Sequence, residues 1–240
     1  MRFENTDVWG FQHAIRGMRN PMNSWNKSDS GECDGLCSLC TECQYDDKDC
    51  YLNDYVGTND MKLAQQLIRA GSEHRKFLRQ IFVSVDITAP LYWWKEYDTY
   101  KIGTTANSTS TMHKLSITPI TLNCFETDDY ETVIIEKYED NDDYFANDEL
   151  WATLITHMEA LRLKHLETKD KKYWKELIRI LPESWLQTRT VTMNYENIYS
   201  MIRQRRHHKL TEWSVSFIGW CWTLPYAEEL LFLDWDKKGE

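Results

Sequence analysis

The sequence predicts an α+β domain. Residues 81–87 alternate Ile81, Val83, Val85 and Ile87 with Phe82, Ser84 and Asp86, the pattern of a strand with one buried side. Elsewhere, apolar residues recur at three- and four-residue spacing, the pattern of amphipathic helices. Strands and helices do not alternate regularly, so a doubly wound βαβ arrangement is not expected.

Taken in order, residues 2–20 read as an extended start followed by a helix with Phe11, Ile15 and Met18 on one face, stopped at Asn20 and Pro21. Residues 24–57 are polar and cysteine-rich, an insertion of about 28–57 in the domain. Thr58 is expected to cap a helix carrying Met61, Ala64, Leu67 and Ile68, which Gly71 ends. A short helical piece with His74 precedes the strand, which runs into Ala89 and Pro90. An aromatic helical segment follows, with Tyr92, Trp93, Trp94 and Tyr97 expected in the core or at a subunit interface. A run of small hydroxyl residues comes next: Thr104, Thr105, Ser108, Thr109, Ser110 and Thr111. It offers hydrogen-bonding groups near Lys101 and His113 but little apolar surface.

Residues 117–124 are expected to be extended. Residues 126–149 are strongly acidic, as a solvated excursion would be. A long helix begins at Asn147, with Leu150, Leu154, Met158 and Leu161 on its apolar face. Residues 170–181 continue helical until Pro182. Residues 188–193 form a second strand, Asn194 opens a helix reaching about His208, and an aromatic helical tail carries Trp213, Trp220 and Trp222. No Pro/Gly/Ser-rich linker divides residues 1–240, which predicts one domain.

The chain carries 38 acidic and 28 basic residues, for a net charge of -10. That balance argues against nucleic acid as the main partner, because phosphate neutralisation needs a basic surface. The first residues lack the apolar run of a signal peptide, and no stretch has the length of a membrane span. A soluble, cytoplasmic protein is the expectation.

In that compartment a cysteine cluster points to metal rather than disulfides. Cys33, Cys37, Cys40, Cys43 and Cys50 follow C-x3-C-x2-C-x2-C-x6-C. Two-residue spacers let thiolates turn toward one ion, so Cys33, Cys37, Cys40 and Cys43 are the candidate ligands, for zinc ahead of an iron–sulfur cluster. Free thiols or a local disulfide are the alternatives. The expected role is structural, a staple for a loop without its own core.

The densest positive run, residues 202–209, closes the helix that Asn194 opens. Cations at a helix C-terminus are favoured by its dipole. Asn194, Ile198, Met201 and Arg205 fall at i, i+4, i+7 and i+11, so Arg205 lies along the apolar face. It is expected to need a buried carboxylate or an anionic ligand there. Arg203, Arg206 and His207 are expected further outside.

Together these segments resemble the flavin-dependent thymidylate synthases, the ThyX-type enzymes. Glu73 and His74 precede the strand at 82–88, and Ala89 and Pro90 lead into the aromatic segment at 91–97. Leu181 and Pro182, the strand at 188–193, Asn194 and Arg205 follow in the family's order. The resemblance covers roughly residues 58–115 and 150–220. Where the family has Arg-His-Arg, this chain has Thr99, Tyr100 and Lys101. Thr104 stands at the following Ser, Asn107 at a Glu, Thr109 at a Ser, Thr111 and Met112 at an Arg-Tyr pair, and Glu196 at an Arg.

The resemblance implies a central antiparallel sheet with flanking helices and a homotetramer whose active sites lie where subunits meet. It implies FAD, dUMP and a folate as ligands, with reduced flavin as the hydride source. By carry-over, Arg205 contacts the nucleotide and Lys101 is its catalytic companion. His74, Asn194, Lys101 and Thr104 line the cofactor, and Ser108 and Thr109 line the substrate. An ordinary helix histidine and a helix N-cap are the competing readings of His74 and Asn194. Three functions remain open: a FAD-dependent one-carbon transfer to a uridine nucleotide, a catalytically altered nucleotide-binding protein on the same fold, and a metal-stapled interaction module.

Overall fold

The computed structural model describes residues 1–32, 54–128, 130–131, 133–138 and 141–235. Cys33, Cys37, Cys40, Cys43 and Cys50 lie outside the described residues. No described helix is long and apolar enough to cross a membrane.

The chain begins with β1 (Arg2–Trp9) and α1 (Phe11–Arg19). The short strands β2 (Gly31–Glu32) and β3 (Asp54–Tyr55) pair with each other at the base of the cysteine-rich insertion. Then come α2 (Thr58–Ala70), a 3-10 segment (Arg75–Gln80), β4 (Phe82–Pro90) and α3 (Leu91–Tyr97). β5 (Thr105–Ser108) and α4 (Thr111–Lys114) follow. β6 (Val133–Tyr138) and β7 (Asn141–Ala146) form an antiparallel hairpin. α5 (Asn147–Thr168), α6 (Lys171–Arg179), β8 (Leu186–Asn194), α7 (Tyr195–Arg205) and α8 (Ile218–Trp222) complete the chain. The main sheet is four-stranded and antiparallel, in the order β1-β4-β8-β5. The fold is therefore α+β with a central sheet, as the sequence predicts.

The chain divides into two compact units. One comprises Met1–Arg2, Ile87–Thr99 and Asn107–Arg189. Its core holds Leu115, Ile120, Phe125, Met158, Leu177 and Trp185, with Trp151, Leu154 and Leu161 packed against it. Trp93, Trp94 and Tyr97 are also buried, so these three aromatics of α3 are core, while Tyr92 is half-buried. The Trp94 indole donates to the Gln187 carbonyl at 2.9 Å, and the Arg189 guanidinium lies 4.2 Å from the Trp94 ring centroid.

The other unit comprises Phe3–Asp86, Tyr100–Ala106 and Thr190–Glu240. Phe11 packs edge-on to Tyr195 and Tyr226, with centroids 5.8 and 5.5 Å away. Gly10 has φ +100, and an added Cβ would lie 2.1 Å from the Gln80 carbonyl oxygen, so only glycine fits that turn. Asp60, in the first turn of α2, is fully buried. It accepts hydrogen bonds from Arg19 Nε, from the Ser28 and Ser30 hydroxyls and from the backbone N–H groups of Asp29 and Ser30.

Three local expectations are corrected. Thr58 is the first residue of α2 rather than its cap: Gly57 is the N-cap, and the Asp29 carboxylate takes the N–H groups of Asn59 and Asp60 at 2.8 and 3.0 Å. Residues 117–124 are turns and a 3-10 piece, not extended, because Pro119 interrupts them and Leu122–Cys124 coils. Leu150 is 66% exposed. Met158 and Arg162 of α5 are buried and Trp151, Leu154, Ile155 and Leu161 pack against the core, so the packed face of that helix is turned away from Leu150. The acidic excursion contains the β6–β7 hairpin.

Candidate functional site

β8 ends at Asn194, whose side chain turns back to start α7. The Asn194 side-chain oxygen accepts from the Asn197 N–H at 3.0 Å, and the Asn197 side-chain oxygen accepts from the Asn194 N–H at 3.2 Å. This capping box satisfies donors that the first helical turn otherwise leaves open. α7 then buries Tyr195, Ile198, Tyr199, Met201 and Ile202. Its axis is thus held at the start and along one face, and Arg205 sits in its last turn.

The segment Tyr100–Ala106 is fastened to both ends of α7. The Asn197 amide nitrogen donates to the Ile102 carbonyl at 2.8 Å. Gly103 adopts φ +78, and a Cβ there would stand 3.0 Å from the side chains of both Asn194 and Asn197. At the other end the Tyr100 hydroxyl donates to Gln204 Oε1 at 3.1 Å and accepts from Arg205 Nε at 2.9 Å. The Thr104 hydroxyl donates to the Tyr100 carbonyl, closing the segment on itself.

Arg205 is half-buried. Its guanidinium carbon lies 4.7 Å from the Trp213 ring centroid and 5.5 Å from that of Tyr100. The sequence called for a carboxylate or an anion beside it. A phenol and an indole face lie beside it, as a flat guanidinium stacks on aromatic rings and bonds through its edge. Lys101 is exposed on the fastened segment.

Arg203 and Arg206 are not the outward cations expected. Arg203 lies 3.2 Å over the Tyr199 ring and donates to the carbonyls of Tyr199, Leu231 and Leu233. Burial pushes the Arg203 guanidinium below its ordinary pKa. Arg206 donates to the Trp235 carbonyl at 2.6 Å and stacks on that ring. Both hold the C-terminal segment against α7. His207 is exposed, as expected.

His74 is exposed and immediately precedes the 3-10 segment. Its neighbour Arg75 bonds both carboxylate oxygens of Glu196 at 3.0–3.1 Å and lies 4.5 Å over Tyr199. Glu196 therefore neutralises a cation in the first turn of α7.

The structure thus gathers Lys101, Thr104, Asn194 and Arg205 around α7, with His74 beside the Arg75–Glu196 pair. Ser108 and Thr109 belong to the other compact unit. Ser108 is exposed in β5. Thr109 donates through its backbone to the Thr188 carbonyl at 2.9 Å, and its own carbonyl accepts from Gln187 Nε2 at 2.9 Å. Ser110 caps α4, and its hydroxyl meets His113 Nδ1 at 2.7 Å.

Tyr100, Asn197, Gln204 and Trp213 are the partners that sequence reasoning missed. An amide three residues after Asn194 is a legible capping signal for Asn197. Nothing in the local pattern marks Tyr100 or Trp213 as partners of Arg205. Among the described residues, no group of three or more His, Cys, Asp or Glu is placed to hold a metal ion. Of the described cysteines, Cys221 is buried, and burial pushes its thiol pKa well up.

No protein-family model matches the sequence, and no curated protein matches it. Solved structures do. A flavin-dependent thymidylate synthase ThyX from Helicobacter pylori, complexed with FAD and dUMP, superposes with a TM-score of 0.62 at 18% identity, covering 98% of this chain and 99% of that one. A second ThyX structure from the same organism, with FAD and dUMP, gives a TM-score of 0.60 at 17% identity, covering 98% of each chain. This chain has the ThyX fold. The likeness extends along nearly the whole of both chains. In this ThyX fold α7 carries a carboxylate in its first turn and an aromatic-seated arginine in its last.

Proposed function

We propose that this chain is a FAD-dependent thymidylate synthase-like protein that binds a uridine nucleotide such as dUMP and transfers one carbon to it. The observation that supports the reading is the Arg205 seat: a guanidinium held by Tyr100 and Trp213 at the end of α7, in a chain with the fold of a protein that binds FAD and dUMP.

The donor set fits an anionic nucleotide. Arg205 and Lys101 supply positive charge on one compact unit, and Arg205 has the planar fork that suits an oxyanion. Arg205 binds the nucleotide, and Lys101 polarises the pyrimidine from the exposed segment. His74, Asn194 and Thr104 hold the flavin. Asn194 keeps its capping role while doing so. Flavin, when bound, supplies the hydride in this chemistry. A folate as carbon donor and a homotetramer complete the reading.

A second reading has its own support. Thr99 and Tyr100 carry no charge, and the Arg75–Glu196 pair cancels another cation at α7. A nucleotide-binding protein on this fold, without turnover, accommodates both facts. In either reading Cys33, Cys37, Cys40 and Cys43 hold a structural zinc or iron–sulfur centre.

Calorimetric titration with dUMP tests the nucleotide site. Arg205→Ala removes a charged hydrogen-bond partner worth about 1.5–3 kcal/mol, so binding is expected to weaken roughly 10–100-fold. Equal affinity in the wild type and the variant refutes the role of Arg205.

A further inference from the structure

We propose that the cavity beside α1, at the base of the cysteine-rich insertion, is a binding site for a small aromatic carboxylate. Its volume is about 310 Å³, and it shares no residue with the candidate nucleotide site.

One side of the cavity is a face of α1. Gln12, Ile15, Arg16 and Arg19 fall at i, i+3, i+4 and i+7, so an apolar side chain and two guanidiniums border the same space. The remaining walls come from the 3-10 turn Trp25–Lys27 and from β2 and β3, through Trp25, Glu32 and Tyr55. Trp25 is 42% exposed and Tyr55 40%, so both rings offer surface to a flat ligand. Both rings are also held in place. The Trp25 indole donates to Asn20 Oδ1 at 2.8 Å. Tyr55 lies against Gly31, where an added Cβ would stand 3.2 Å from its ring and hydroxyl. Preformed aromatic walls with a few fixed polar groups are how small-molecule sites are commonly built.

The arginines select an anion. Arg19 is 5% exposed. Its Nε donates to Asp60 and its Nη1 to the Ser24 carbonyl at 3.3 Å, while Nη2 has no partner among the described residues. A buried charged donor without an acceptor is costly, and the cavity that Arg19 lines is where an oxyanion would meet it. Arg16 lies one turn earlier, 5.4 Å over the Trp25 ring, and makes no hydrogen bond or ion pair with a described residue. Guanidinium forks suit a carboxylate, and the neighbouring rings suit the aromatic body that carries it. Glu32 is the acidic residue on the wall, and the Gln12 amide donates to it at 3.3 Å.

Titration of the full chain with naphthoate, followed by the ligand's fluorescence, tests the site against the neutral naphthamide. The carboxylate is expected to bind about 10–100-fold more tightly, the size of a charge-assisted hydrogen bond. Arg16 is exposed, and Arg16→Met leaves the Arg19–Asp60 pair in place. This variant is expected to weaken naphthoate binding about 5–20-fold with its melting temperature unchanged. Glu32→Gln removes a like charge and is expected to bind naphthoate at least as tightly as the wild type. Saturating dUMP is expected to leave the naphthoate affinity unchanged. Equal affinity for naphthoate and naphthamide, wild-type affinity in Arg16→Met, weaker binding in Glu32→Gln, displacement by dUMP, or no binding at millimolar naphthoate each overturns the proposal.

Discussion

Asp60→Asn is the sharpest test of how the base of the cysteine-rich insertion is held. Asp60 is fully buried, and its partner Arg19 is 5% exposed. The substitution keeps the shape but turns one acceptor into an N–H₂ group, facing a site that supplies five donors. It also leaves the Arg19 guanidinium buried without its carboxylate. Breaking a buried pair from one side costs about 3–5 kcal/mol. For a chain of this size, each kcal/mol moves the melting temperature by roughly 2–4 °C, so a drop of about 6–20 °C is expected. Thermal unfolding followed by tryptophan fluorescence measures it. A control separates the pair from the site: Arg19→Met with Asp60→Leu leaves no orphaned charge but strips the acceptor from the Ser28 and Ser30 hydroxyls and the Asp29 and Ser30 N–H groups, so most of the loss is expected to remain. An Asp60→Asn protein within about 1 kcal/mol of the wild type refutes the claim that this carboxylate organises residues 28–30 and the start of α2.

The same carboxylate sets an acid dependence. Burial pushes the Asp60 pKa up, but hydrogen bonds from Ser28, Ser30, Arg19 and the Asp29 N–H outweigh it and hold the carboxyl below its ordinary range. A depressed folded-state pKa contributes stability above the unfolded value near 3.9, lost as pH falls through the folded value. The gap in melting temperature between wild type and Asp60→Asn is therefore expected to be full at pH 7 and to shrink below about pH 4. A gap that does not change with pH contradicts this. Gly103→Ala places a Cβ 3.0 Å from Asn194 and Asn197 at φ +78. It is expected to cost about 1–2 kcal/mol, read by chemical denaturation, and to weaken dUMP binding by loosening the segment that holds Tyr100. Metal analysis of protein purified under reducing conditions is expected to find zinc or iron, and less than about a tenth of an equivalent rejects a constitutive site at Cys33, Cys37, Cys40 and Cys43.

The elements that rest on local periodicity were legible. The alternation through Val83, Val85 and Ile87 gave β4, and all three are buried. Phe11, Ile15 and Met18 gave the buried face of α1, and Asn194 gave the start of α7. The misses share a physical cause: the partner came from far along the chain. α2 takes its cap from Asp29, nearly thirty residues upstream, so Thr58 looked sufficient by itself. Leu150 fits a helical stripe, but the face of α5 that packs carries Trp151, Leu154, Ile155 and Met158, and Leu150 points off it. At the candidate site, Arg205 was found from helical phasing, which says where a side chain lies. Phasing does not say what meets it. Tyr100, more than a hundred residues earlier, was read as a missing charge when its hydroxyl is a hydrogen-bond partner. Arg203 was misplaced for the same reason, since the Leu231 and Leu233 carbonyls that receive it follow a later turn of the chain.

The central claim is that this ThyX fold still serves a flavin and a uridine nucleotide. Flavin uptake tests it most directly. Purified protein titrated with micromolar FAD, with and without dUMP, is expected to quench FAD fluorescence, more strongly with dUMP present. No quenching under either condition contradicts the account and leaves the fold without the flavin chemistry of its structural neighbours.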